Sequence, residues 1–463
     1  MDVRSKKLLI AVGLGVLLNP LNSSMIAVAI PRVQQVYKLD YTEVSWIIFS
    51  FYLASAVAQP VMGKASDLFG RRKIFLAGLA VSFVASMLAP LSPSFGWLIA
   101  ARVVQSVGTS MLVAVGMAIV RMHVTEKQAT ALSVLSVFLS GAAAIGPFAG
   151  GVMLARWDWH AIFIVNIPFV AASFLLARRA IPADGPTGES GKLTFRKWSE
   201  KIDAIGILLF TAGLLGLLVG LLSIKSSGHA SYGNVAVGLI GLMSLTAFAR
   251  HELTTAAPFI PLRAFAKYPA MTWVNVQYLL VNLLFYALFF GVPSYLQTVR
   301  HIGEFHAGLL MLTLGLCSLV ASPFAGKWID KSGPRPALIA AAMLMMLGSL
   351  WLVTLGESSP AIGASLALAA FGIGNGLNAV GMQAALFKSA PKELTGVASG
   401  LFNTSRYLGT ILSSLLTGMI MGGTFSVVGF RQLGVFLAAI ALVLVLMNLR
   451  RSASVPAAGG VRE

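Results

Sequence analysis

Gly63-Lys64-Ala65-Ser66-Asp67-Leu68-Phe69-Gly70-Arg71-Arg72-Lys73 has a second copy far along the chain, Gly326-Lys327-Trp328-Ile329-Asp330-Lys331-Ser332-Gly333-Pro334-Arg335. Gly, Lys, Asp, Gly and Arg coincide at a constant offset of 263 residues. A duplicated polar loop between apolar runs predicts two copies of one helical unit. The surrounding composition says what kind of unit it is. Of 463 residues, 57% are hydrophobic and 11% charged, and the mean hydropathy is +0.84. A water-facing surface cannot be built from so few charges, so the chain reads as an integral membrane protein.

Apolar stretches long enough to cross the bilayer as helix run roughly over 8–30, 43–62, 74–92, 97–120, 130–154, 161–178, 204–223, 234–249, 270–292, 307–325, 337–355, 361–386, 395–421 and 432–449. The expectation is an all-α membrane protein of fourteen spans. With both termini inside, the inner loops hold 26 Lys/Arg and the outer loops 6, and Arg102 and Arg406 lie within spans. That asymmetry supports an even span count and a cytoplasmic location for both termini. It also explains the net charge of +18 as a topology signal, so no nucleic-acid partner is implied. Met1 to Lys7 leads into a full-length span without a small-residue cleavage signal and reads as the start of the first helix.

The repeat then sets the organisation. Residues 1–180 form one six-helix bundle, 181–203 a cytoplasmic linker, 204–264 two inserted helices, 265–450 a second six-helix bundle and 451–463 a cytoplasmic tail. The linker is polar and turn-rich, with an amphipathic piece at Phe195 to Trp198 placed on the membrane surface. Cys317, the single cysteine, excludes a disulfide framework and a Cys-based zinc site, and the six histidines show no metal-ligand spacing. No metal or cofactor is expected.

In the duplicated loop, Asp67 can cap a helix N-terminus or pair with an Arg, while Gly63 and Gly70 allow close helix approach. Asp330, Gly326 and Gly333 are the second copy, with Arg71, Arg72 and Arg335 as cations. In the fourth span, Arg102, Gln105 and Thr109 share one helix face. An intramembrane Arg either faces a partner or a wet cavity, or snorkels outward. The fifth span ends Gly146-Pro147-Phe148-Ala149-Gly150-Gly151, where Pro predicts a bend and the glycines a tight seam.

Together with Trp157-Asp158-Trp159-His160, Asn166-Ile167-Pro168 and Leu21 to Pro31, these motifs resemble the major facilitator superfamily, and within it the fourteen-helix drug:proton antiporters. The resemblance covers nearly the whole chain. It implies a multidrug exporter of the bacterial inner membrane that works by alternating access, with a latch at the duplicated loop, proton coupling at Arg102 and an antiporter motif from Gly146 to Gly151. The chain departs from that subgroup at Asn22, where the family usually has the Asp that carries the proton. None of the sixteen acids falls near a span centre, and Glu43, at the outer entrance of the second span, is the deepest candidate.

Both embedded charges are positive, and Arg406 reads either as a charge centre or as a structural arginine bonded to backbone carbonyls. A neutral, zwitterionic or anionic lipophilic substrate suits them better than a dication. Candidate cavity residues at helical spacing are Asn19, Asn22, Ser23, Tyr52, Ser55, Gln59, Asn275, Tyr278, Asn282, Tyr286, Asn375 and Asn378, together with Gln105 and Thr109. Each reads equally as interhelical glue. No phosphate-binding loop or nucleophile–base pair is present, so neither ATP nor enzymatic chemistry is expected. Expected partners are a lipophilic small molecule, protons and membrane lipids, with the chain acting as a monomer. A lipid or glycolipid flippase, an uncoupled exporter and a transport-inactive membrane sensor are the competing readings.

Overall fold

The computed structural model describes residues 3–124, 128–184, 203–226, 232–255, 258–260, 262–357, 359–390, 395–421 and 425–450. The amphipathic piece at 195–198 and the tail 451–463 lie outside the described residues. Among those described, the chain is helical and contains no strand. The first group of helices is α1 (Val3–Val16), α2 (Leu18–Tyr37), α3 (Tyr41–Val44), α4 (Trp46–Phe69), α5 (Arg71–Leu88), α6 (Phe95–His123), α7 (Gln128–Trp157), α8 (Ala161–Ile164) and α9 (Asn166–Ala180). Then come α10 (Ala204–Ser226), α11 (Tyr232–Thr254) and the short α12 (Leu262–Lys267). The last group is α13 (Pro269–Ser294), α14 (Glu304–Ser332), α15 (Pro334–Thr354), α16 (Ala361–Ser389), α17 (Thr395–Met421) and α18 (Val427–Arg450).

Twelve described spans are long and apolar enough to cross a membrane. Helices α10 and α17, of 23 and 27 residues, stand outside that set, and Ala204–Leu217 is the apolar part of α10 that qualifies as a shorter helix. Local chemistry explains the breaks. Pro20 lacks an N–H and its ring crowds the carbonyl four residues back at Val16, which is where α1 stops, and α2 begins two residues later at Leu18. Helix α2 ends on Lys38 in the left-handed region, φ 55°.

Packing repeats between the two groups. In the first, α4 packs on α6, α5 on α6, α2 on α7 and α5 on α9; in the second, α14 packs on α16, α15 on α16, α13 on α17 and α15 on α18. The groups meet along α7 with α14 and along α4 with α17. Helices α10 and α11 form a hairpin, with α10 also touching α17 and α4. Glycines let that hairpin close: a Cβ at Gly220 would lie 2.5 Å from the Cα of Gly238, and one at Gly241 2.4 Å from the backbone N of Leu217. Exposed Leu239, Ile240 and Met243 on α11 supply the apolar face that a bilayer solvates.

The duplicated loops turn on Gly70 (φ 100°) and Gly333 (φ 76°), each separating one helix from the next. Their freedom is used for a left-handed turn that an L side chain rarely adopts. The close helix approach expected at Gly63 is not made, because a Cβ there, or at Gly326, would meet nothing within 4 Å.

Candidate functional site

Arg102 sits on α6 with 1% of its surface exposed, so its side chain points inward and does not snorkel. Its guanidinium lies 4.2 Å over the ring of Phe51 and donates to Gln105 Oε1 at 2.8 Å, while its Nε has no partner. Gln105 Nε2 donates onward to Asn22 Oδ1 at 3.1 Å, and Asn166 Nδ2 donates to the same oxygen at 2.7 Å. Asn22 Nδ2 is bound to the Leu18 carbonyl at 2.7 Å. Asn19 reaches Thr109 Oγ1 at 3.1 Å, and Ser55 pairs with Ser106 at 2.7 Å.

The predicted face Arg102, Gln105, Thr109 therefore converges with Asn19, Asn22 and Ser55. These residues form a buried polar network within the first group of helices and, among the described residues, leave Arg102 without a carboxylate. Phe51, Ser106 and Asn166 belong to the network but were not among the candidates. Asn166 had a signal, a lone amide opening a membrane helix.

Glu43 is a correction. Its backbone N–H donates to Asp40 Oδ1 at 2.6 Å and its Oε2 accepts from the Asp40 N–H at 2.9 Å, the reciprocal capping box that starts α3. Its side chain is exposed and satisfied, which removes it as an embedded acid.

Arg406 is half-buried on α17 and donates to the Tyr407 hydroxyl at 3.0 Å, with its guanidinium 4.8 Å from that ring. Gln59 of the first group also donates to Tyr407 Oη. Tyr52 places its ring 5.5 Å from Tyr286 and 6.1 Å from Tyr407, so an aromatic seam joins the two groups. Tyr278 stacks on Phe402 at 3.6 Å. Asn275 and Asn282 are spent on the carbonyls of Met271 and Tyr278, at 2.8 and 2.7 Å. Asn375 donates to Ser318 Oγ at 3.0 Å, whereas Asn378 faces Met345 Sδ of α15, away from the interface between the groups.

A cavity of about 150 Å³ opens between the groups, lined from one side by Pro20, Ser23, Ser24, Ser140 and Pro147 and from the other by Phe285, Tyr286, Phe289, Ser318 and Asn375. Of the candidate cavity residues, Ser23, Tyr286 and Asn375 line it. No acid is among its described lining residues. At the end remote from the duplicated loops, five hydrogen bonds close the groups on each other: Tyr41 to the Phe290 carbonyl, Ser294 to Tyr41, Thr42 to the Gly418 carbonyl, Ser414 to the Ser45 carbonyl and Gln297 to the Val28 carbonyl.

The glycine motif forms two seams at once. Cβ atoms at Gly146 and Gly150 would fall 1.7 Å from Ser24 Oγ and 2.9 Å from the Met25 carbonyl, both on α2. One at Gly151 would fall 2.6 Å from the Glu304 carbonyl on α14, across the interface, and the Pro147 carbonyl lies equally close to Gly308. The tight seam is present, and α7 runs unbroken through Pro147 as one helix.

At the duplicated loops, the side chain of Asp67 lies outside the described residues, and Asp330 is exposed at the end of α14. The cap on α5 comes from Asp184, which no motif had singled out. Its carboxylate accepts from the N–H groups of Arg72 at 2.9 Å and Lys73 at 3.2 Å. Arg71 reaches Met122 Sδ at 3.4 Å, and Arg72 donates to the Arg178 carbonyl at 2.6 Å.

Known proteins share this architecture. Relatives include an uncharacterised MFS-type transporter, YwoD, of Bacillus subtilis, 43% identical with 96% of each chain covered. Another is the tetracenomycin C resistance and export protein of Streptomyces glaucescens, 28% identical over 89% of this chain and 75% of that one. The fold is similar to that of the nucleoside transporter NupG, with a TM-score of 0.69 at 10% identity, covering 97% of this chain and 100% of that one. Residues 12–414 match the Major Facilitator Superfamily as a whole. The chain belongs to the Major Facilitator Superfamily and is a multi-pass membrane transporter.

Proposed function

We propose that the protein is a secondary active exporter of lipophilic small molecules, a multidrug efflux transporter of the fourteen-helix drug:proton antiporter type, with α10 and α11 as the two inserted spans. The observation that carries this reading is the cavity between the two groups, aromatic and serine-lined with no acid, beside a seam of tyrosines and one half-buried arginine. Such a lining suits a lipophilic molecule that is neutral, zwitterionic or anionic, because an unpaired cation would find no counter-charge. Similarity to the tetracenomycin C resistance and export protein supports export.

The positive-inside rule assigns the duplicated loops and both termini to the cytoplasm of a bacterial inner membrane. The closed end is then external. A monomer suffices for the cycle, and neither ATP nor nucleic acid enters it.

One observation favours a second reading. Arg102 donates to Gln105 and, among the described residues, touches no carboxylate, and Asn22 occupies the place of the usual proton carrier. An uncoupled exporter or a lipid or glycolipid flippase needs no such acid. Purified protein in liposomes under an imposed pH gradient, with internal pH and lipophilic probe release followed together, separates the readings. Probe-dependent proton movement supports antiport. Probe or lipid movement that ignores the gradient supports the second reading, and no movement of either kind refutes both.

A further inference from the structure

Glu252, in the last turn of α11, is 0% exposed. Its Oε2 accepts from the Ile260 N–H at 3.0 Å, while its Oε1 has no partner. Asp203, one residue before α10, repeats this pattern. Its Oδ1 accepts from the Gly206 N–H at 2.8 Å and lies 2.7 Å from His251 Nε2, while its Oδ2 has no partner. Only 3% of the Asp203 side chain is exposed.

The two bare oxygens face the same point. A Cβ at Gly206 would stand 2.4 Å from Asp203 Oδ2 and 2.5 Å from Glu252 Oε1. Glycine at 206 thus leaves the space in which they meet. Two ionised carboxylates placed so would be a pair of acceptors with only the Phe259 N–H beside them as a donor, too few for both, in a pocket walled by Phe210, Phe248 and Phe259. One proton between them turns one oxygen into a donor and satisfies both.

The neighbouring ionisable groups do not supply that donor. His251 is held by Asp203 Oδ1 and Thr255. Arg250 is exposed, and the exposed Arg263 of α12 is spent on the Leu253 carbonyl. Lys267 of α12 is exposed beside Tyr268. Helix α10 carries no ionisable residue before Lys225, in its last turn. On the helices behind α10, Arg406 of α17 is turned to Tyr407, and the side chains of Lys64 and Asp67 of α4 lie outside the described residues.

We propose that Asp203 and Glu252 hold one proton between them, a proton-binding site at the foot of the inserted hairpin. The site ties the start of α10 to the end of α11 and, through Ile260, to the segment that leads into the second group of helices. When the proton leaves, two like charges face each other in an apolar pocket and are driven apart. The inserted hairpin is thereby a proton-responsive joint, whatever substrate the cavity takes.

The test is infrared difference spectroscopy of the full-length detergent-purified protein, titrated from mildly acidic to alkaline pH, where exposed carboxyls stay ionised throughout. A protonated-carboxyl C=O band that disappears on alkalinisation is expected, and it should be lost in Glu252→Gln, whose amide keeps the hydrogen-bonding shape of the neutral acid. Asp203→Asn and Gly206→Ala are independent variants that should lose the same band, the second by wedging the oxygens apart. Absence of the band from the unaltered protein overturns the proposal, as does its persistence in any of the three variants.

Discussion

Arg72 and Arg335, 263 residues apart, make the same contact in the two halves of the protein. Arg72 donates to the carbonyl of Arg178 at the end of α9, and Arg335 donates to the carbonyls of Asn448 and Leu449 at the end of α18, at 3.0 and 2.7 Å. Each guanidinium neutralises the negative end of the last helix of its own group, where terminal carbonyls lack helical partners. The duplicated loop is therefore a device that ties the third span to the sixth in each repeat. In the first half the start of α5 is also capped from outside by Asp184, which follows α9 in sequence.

Asp184→Ala should loosen that tie. It removes the acceptor of two first-turn N–H groups, and loss of an N-terminal cap costs about 1 kcal/mol. Amide exchange at Arg72 and Lys73 should accelerate roughly fivefold by that figure, while the equivalent turn at Arg335 is unaffected. Equal exchange in both proteins at α5 would show that the loop holds its shape without the cap.

Arg102 supplies the second prediction. Arg102→Ala should abolish transport while expression is retained, since it removes the only charge from a network whose other members are neutral amides and hydroxyls. Asn22→Asp should act in the opposite sense. A carboxylate there can still accept from Gln105 and Asn166, it gives up only the bond to Leu18, and it brings a negative charge within one glutamine of Arg102. Flux in liposomes should then depend more steeply on the pH gradient than in the unaltered protein. Unchanged flux in Arg102→Ala removes this arginine from the mechanism.

What the sequence made legible was the repeat, the seam and the buried face of α6. These are encoded by residue type at fixed spacing: Gly70 and Gly333 because only a turn uses their freedom, Gly146 and Gly150 because they lie one turn apart, and Arg102, Gln105 and Thr109 because they share a face. Glu43 was misread because hydropathy places it near a span, whereas a carboxyl three residues after Asp40 is committed to a capping box. Asp184 and Glu252 were missed for a different reason. Their partners are backbone groups or carboxyls brought in by tertiary packing, from 111 residues away for Asp184 and Lys73, and no local spacing announces such contacts.

The two seams of α7 should respond differently to substitution. Gly150 faces backbone atoms of Met25 on a helix of its own group, so Gly150→Val overpacks a fixed contact, at a cost of about 1–3 kcal/mol, and should lower the melting temperature. Gly151 faces the Glu304 carbonyl across the interface between the groups. In Gly151→Val the strain is relieved when the groups part, so the end closed by the five hydrogen bonds should open without comparable loss of stability. Cysteine labelling of a reporter at Gln297, in a Cys317→Ser background, reads that opening. Labelling no faster than in the Gly150→Val control would count against the seam as a gate.

Acidity should act on the same end of the molecule through Asp158. Arg32 donates to both its oxygens, from Nε at 2.8 Å and from Nη2 at 2.7 Å, and the N–H of Trp159 adds a third bond. These hydrogen bonds, the Arg32 pair foremost, hold the Asp158 carboxyl below the usual carboxylate range. A carboxyl depressed in the folded state contributes its stability in full above its unfolded pKa, about 4, and loses it as pH falls through the lower folded value. The tie between α2 and the α7–α8 turn should therefore persist at neutral and mildly acidic pH and fail only in strong acid. Both partners are more than a third exposed, so the contribution is that of a surface pair, about 0–1 kcal/mol. Asp158→Asn should lower the melting temperature slightly at neutral pH and not at all in strong acid, so that the two melting curves converge as pH falls. A difference that is constant with pH would mean that the charge of Asp158 does not hold this corner, and that its left-handed backbone, φ 64°, does so alone.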